Sequence, residues 1–86
     1  MIHLDTLVAR GLAMTGIQLS QREMESLRWI SMGKTSWEIA TILGVSEHTI
    51  NFHVRNVCTK LQAPNRQAAV ATALRAGILK PVIQRV

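Results

Sequence analysis

The stretch Ser46-Glu-His-Thr-Ile-Asn-Phe-His-Val-Arg-Asn-Val-Cys-Thr-Lys-Leu61 decides the fold of this chain. Ser46 is a good helix cap, and Ile50, Val54, Val57 and Leu61 follow it at the helical period. With that stripe turned inward, the opposite face carries His48, Asn51, Phe52, Arg55 and Thr59. An amide, an aromatic ring and a guanidinium on one outer face call for a partner outside the chain.

Start and stop signals flank this helix on both sides. Ser20-Gln-Arg-Glu23 is a capping box, with Leu19 placed to staple onto Met24, and its helix carries Leu27 and Ile30 inward before stopping near Gly33. Thr35-Ser-Trp-Glu38 is a second capping box, opening a short helix with Ile39, Ala40 and Leu43 inward; Gly44 ends it. After Leu61, Pro64 breaks the chain, Asn65 can cap again, and a fourth helix is expected from Arg66 to about Ala76 before Gly77. Strand-like alternation and internal repeats are absent from the sequence, so the expected fold is all-α, with four helices. Residues 19–80 form the expected domain and 81–86 a tail. Residues 1–18 read as a lead-in or linker with room for a short helix, since Leu4, Leu7, Val8 and Leu12 have helical spacing but Gly11 and Gly16 weaken it.

A helix, a tight turn around a glycine and a second crossing helix make a helix-turn-helix, whose second helix enters the major groove of DNA. That chemistry suits the outer face of 46–61. Arginine pairs with guanine, asparagine with adenine or a phosphate, and a phenyl ring meets the thymine methyl. The helix N-termini at Thr35 and Ser46 suit phosphate oxygens. Lys34 stands beside the first of them, Lys60 at the far end of the reading helix, and Arg66 at the start of the fourth helix within reach of a phosphate.

Charge and size agree with that reading. The net charge is +5, and all five acids lie in the first 47 residues, leaving Arg55, Lys60, Arg66, Arg75, Lys80 and Arg85 unopposed in sequence. A basic half of this kind suits a polyanion. Eighty-six residues with 48% apolar content support one modest core and no deep enzyme pocket; nor do paired acids, a Ser/His/Asp grouping or a glycine-rich phosphate loop point to catalysis. A membrane span is not expected, because no apolar run approaches the roughly 20 residues it needs. The single Cys58 can form no internal disulfide, which suits a reducing cytoplasm.

Other residues have plainer readings. His48, His53 and Cys58 are spaced by fives, about 140° apart on a helix, so they cannot converge on a metal. Neither metal nor cofactor nor small-molecule ligand is expected. His53 and Cys58 read as packing residues beside the buried stripe, and Trp29 and Trp37 as packing around the first two helices. The fourth helix is apolar on more than one side, and its small residues Ala69, Ala73 and Ala76 are the expected contacts of a partner copy.

The pattern Glu23-x3-Leu27-x5-Gly33-Lys34-Thr35-x-x-Glu38-Ile39-Ala40-x-x-Leu43-x-x-Ser46-x-x-Thr49-x3-His53-x6-Lys60-Leu61 resembles the LuxR-type DNA-binding domain of bacterial transcription regulators. The runs GKTSWEIA and INFHVRN resemble its quorum-sensing branch. The resemblance implies a four-helix domain on a promoter inverted repeat, dimerising through its last helix in the bacterial cytoplasm, with RNA polymerase as a further partner. It implies base contacts at Asn51, Phe52 and Arg55, and backbone contacts at Lys34, Thr35, Ser46, Thr49 and Lys60, which His48 and Arg66 would join. Position 51, commonly lysine in that family, is asparagine here. A complete quorum-sensing regulator also carries an N-terminal ligand domain, which residues before Leu19 are too few to form, so the chain reads as an isolated C-terminal domain or a stand-alone regulator. Two rivals stand beside this reading: the promoter-reading domain of a sigma factor, and a truncated interaction module that pairs with full-length regulators and inhibits them.

Overall fold

The computed structural model describes residues 16–81. The expected short helix of the lead-in lies outside the described residues, as do tail residues 82–86. Four helices run α1 Gln21–Ser31, α2 Ser36–Leu43, α3 Glu47–Leu61 and α4 Arg66–Arg75, with no strand among the described residues, so the all-α, four-helix expectation holds.

The helix starts are those the capping residues dictate. Ser20 Oγ accepts from Glu23 N–H at 3.1 Å while Glu23 Oε1 accepts from Ser20 N–H at 2.9 Å. Thr35 and Glu38 repeat the exchange at 3.1 and 2.8 Å. Each box satisfies two backbone donors that a helix start otherwise leaves orphaned. Asn65 Oδ1 caps α4 by accepting from Ala68 N–H at 2.8 Å. At the other end of α2, Gly44 takes the left-handed conformation at φ 72°, and its own N–H and that of Val45 close back on the Ala40 carbonyl. A side chain at Gly44 would meet nothing, so glycine is needed there for its backbone alone.

α3 packs on all three other helices, and the core divides along its length. Its first half sets Ile50 and Val54 against Ile39 and Ala40 of α2, with Trp29, Ile30, Leu43 and Val45 around them. Its second half sets Val57 and Leu61 against Leu27 of α1, Ala69 and Ala73 of α4, and Leu79 beyond it. Cys58 touches both clusters. Ile17 and Leu19 pack on the second cluster, so the packed domain takes in residues ahead of the first capping box.

Two expectations are corrected here. Ala69 and Ala73 are 1% and 0% exposed, inside the domain's own core, where small side chains let α4 lie close to α1 and α3; neither is free for a partner copy. Trp37 does not pack: it is 64% exposed on the outer side of α2. Trp29 does pack, against the α2–α3 cluster.

Candidate nucleic-acid interface

α2, the turn Gly44-Val45-Ser46 and α3 form the helix-turn-helix. Ser46 Oγ accepts from Thr49 N–H at 3.0 Å and lies 2.9 Å from Thr49 Oγ1, so the two hydroxyls bond each other at the start of α3. Thr49 is half-buried beside exposed Ser46 and His48. The buried stripe Ile50, Val54, Val57 and Leu61 holds the helix at one rotation and sets what faces out. Phe52 is 50% exposed, its ring 5.8 Å from that of half-buried His53. Arg55 is exposed, and its guanidinium has no protein partner among the described residues.

Asn51 differs from its two neighbours on that face. It is half-buried, and its Oδ1 accepts from the Ser36 hydroxyl at 2.7 Å. Ser36 Oγ in turn accepts from Arg66 Nη2 at 2.9 Å, and the same nitrogen stands 3.5 Å from Asn51 Oδ1. This relay joins α2, α3 and α4. It floors a cleft of about 460 Å³ whose rim includes Lys34, Thr35, Glu47 and Gln67. Thr35 Oγ1 accepts from the Glu38 N–H in its own cap. The Glu38 carboxyl sits below its ordinary value because the Thr35 backbone and side chain bond its charged form, with Lys34 adding its field.

Lys60, expected at a phosphate, has partners within the protein. Its ammonium donates to Glu23 Oε1 at 2.7 Å and to the Gln18 carbonyl at 3.1 Å, tying α3 to α1. Burial pushes the Glu23 carboxyl up, but the bonds from Lys60 and the Ser20 N–H, with the charges of Lys60 and His53, outweigh it and leave it below the usual value. Lys60 stays exposed, with its ammonium engaged by Glu23 and the Gln18 carbonyl. Burial also pushes the Cys58 thiol up, against the pull of Arg66.

Of the expected site, then, the structure brings Asn51, Lys34, Thr35 and Arg66 to one cleft, and leaves Phe52 and Arg55 outward on α3. Ala76, the third expected dimer contact, is half-buried where α4 ends. The outer face of α4 is instead Gln67, Ala71, Leu74 and Arg75, all exposed. Residues 17–73 match the family "Bacterial regulatory proteins, luxR family".

The chain belongs to that family.

Its helix-turn-helix is therefore of the DNA-binding kind found in luxR-family regulatory proteins, which sets aside the sigma-factor reading. Three relatives are similar to this luxR-family chain. Transcriptional activator protein VanR of Vibrio anguillarum is 45% identical over 65 residues, covering 76% of this chain and 27% of that protein. The HTH-type quorum sensing-dependent transcriptional regulator RpaR of Rhodopseudomonas palustris is 48% identical over 63 residues, 73% of this chain and 26% of the relative. The HTH-type quorum-sensing regulator RhlR of Pseudomonas aeruginosa is 49% identical over 61 residues, 71% and 25%. The chain spans about a quarter of the length of these curated relatives.

Two residues escaped the sequence reading. Ser36 lies one turn before Ala40 on the inward stripe of α2, so its burial was legible, but its partners in α3 and α4 were not. Trp37 stands about 110° from that stripe at about 100° per residue, which marks it as outward.

Proposed function

We propose that this domain binds double-stranded DNA sequence-specifically, laying α3 in the major groove of a promoter inverted repeat as part of a quorum-sensing regulator in the bacterial cytoplasm. The outer face of α3 carries this reading: Phe52 and Arg55 stand exposed there, and the Arg55 guanidinium has no protein partner among the described residues. Arg55 reads guanine and Phe52 meets a thymine methyl. Asn51 contributes what its amide has left after the relay. Lys34, Thr35, Ser46, His48, Thr49 and the unused donors of Arg66 hold the flanking phosphates, which positions the helix without specifying sequence. Lys60 is left out of that set because Glu23 holds it.

Pairing of two copies falls to the outer face of α4, through Ala71 and Leu74, since the inner face is spent on the core. One short helix gives an interface smaller than the roughly 1,200–2,000 Å² of stable complexes. Two half-sites one helical turn apart raise the effective concentration enough to offset that. RNA polymerase would be met by surfaces left exposed on the promoter. The rival reading as an inhibitory pairing module needs a spoiled reading face, and Phe52 and Arg55 are in place here.

Selection from a random duplex pool tests the proposal. An enriched inverted repeat, bound cooperatively and weakened steeply by salt, is the expected result. Binding without sequence preference would overturn it.

A further inference from the structure

The relay fixes the polarity with which position 51 meets a base. A free asparagine offers one acceptor and one donor group, and adenine is its usual match because the adenine edge presents both a donor and an acceptor. Asn51 is not free. Ser36 Oγ accepts from Arg66, so the one hydrogen of the Ser36 hydroxyl is available to Asn51 Oδ1, 2.7 Å away. The Arg66 guanidinium, 3.5 Å from the same atom, has only donors, so it excludes the flipped amide, whose nitrogen would face a cation. Both neighbours therefore hold the carbonyl oxygen inward, and the amide nitrogen has no partner among the described residues.

We infer that Asn51 is a donor-only reader, and that Ser36 and Arg66 are positioning residues that make it so. A donor group alone selects acceptor edges. Guanine presents two acceptors side by side, N7 and O6, whereas adenine sets an amino donor beside its N7. The column read by Asn51 should therefore favour guanine over adenine. The inference rests on the proposed placement of α3 in the major groove and goes beyond it, because that placement alone would match Asn51 with adenine.

The experiment uses the whole chain and the site recovered by selection. Asn51→Ala first identifies the base pair whose discrimination depends on position 51. Defined duplexes differing only there are then titrated by fluorescence anisotropy. Wild type should prefer guanine to adenine by roughly 2- to 10-fold, the span of one net hydrogen bond. The double substitution Ser36→Ala/Arg66→Met should weaken all sites alike through the lost arginine, and move the ratio toward adenine by freeing the carbonyl. The wild-type ratio needs no variant to fold. An adenine preference in wild type, or an unchanged ratio in a folded double variant, overturns the inference. If Asn51→Ala alters no column while Arg55→Ala does, the inference fails and the DNA-binding reading stands. If neither alters a column, both fail.

Discussion

The two halves of α3 share one helix and differ in almost everything else. The second half is gripped from two sides by α1 and α4, with Val57 and Leu61 in the larger cluster and Lys60 paired to a nearly buried Glu23. The first half leans through Ile50 and Val54 on the eight residues of α2, with Trp29 and Ile30 of α1 beside them, and its polar contacts form a relay instead of an ion pair. The lesson is a division of labour along one element. Toward the end of the helix Lys60 is engaged by Glu23; at its middle, Arg55 is left unspent.

Breaking the gripped half should have the largest effect. Ala73→Glu places a carboxylate at a fully buried position among apolar side chains, a cost of several kcal/mol on transfer alone. We expect no cooperative thermal transition for this variant. Ala71→Glu, on the exposed face of the same helix, should keep the wild-type melting temperature and lose cooperativity on a full site. A folded Ala73→Glu that merely lost cooperativity would return Ala73 to the dimer contact.

The ion pair gives a smaller effect with a pH signature. Lys60→Met leaves the nearly buried Glu23 without its main partner, at about 1–3 kcal/mol near neutral pH. Because Glu23 lies below its ordinary value of 4.5 when folded, the pair contributes fully above that value. Its contribution drains as pH falls through the lower folded value, where wild type and Lys60→Met should converge. Denaturant melts between neutral pH and the acid range measure this, and a gap independent of pH would show that Glu23 does not titrate through Lys60. DNA affinity at neutral pH should change little in the variant, in contrast with any loss at Arg55.

The smallest effect sits where the gripped half ends. Gln62 holds a left-handed φ of 54° without being glycine. Gln62→Gly should raise stability by up to about 1 kcal/mol, because the strain of a side chain in that region is removed. A lower melting temperature would mean that the Gln62 side chain contributes more than its backbone costs.

The legible and illegible parts of this molecule separate by the range of the interactions. Capping boxes, the Gly44 turn and the stripe Ile50-Val54-Val57-Leu61 are local patterns, so the four helices and the outward set Phe52 and Arg55 could be read directly. Lys60 could not, because its partners Gln18 and Glu23 lie 42 and 37 residues away in sequence. The same holds for Asn51, whose carbonyl is claimed by Ser36 and Arg66, each 15 residues distant. α4 misled for another reason. Ala69, Val70, Ala73 and Leu74 make it apolar on two sides, and small residues suit a partner copy as well as a neighbouring helix. Only packing against Leu27, Val57 and Leu61 decides which side is inner.

The central claim is that Phe52 and Arg55, on the outer face of α3, serve DNA and not the fold. Arg55→Ala tests it most directly, read by duplex titration and thermal melting on the same preparation. The expected result is a loss of about 1–3 kcal/mol in binding to the selected site, relaxed preference at one base pair, and an unchanged melting temperature. An unchanged binding preference, or a loss of stability that accounts for the lost affinity, would contradict it.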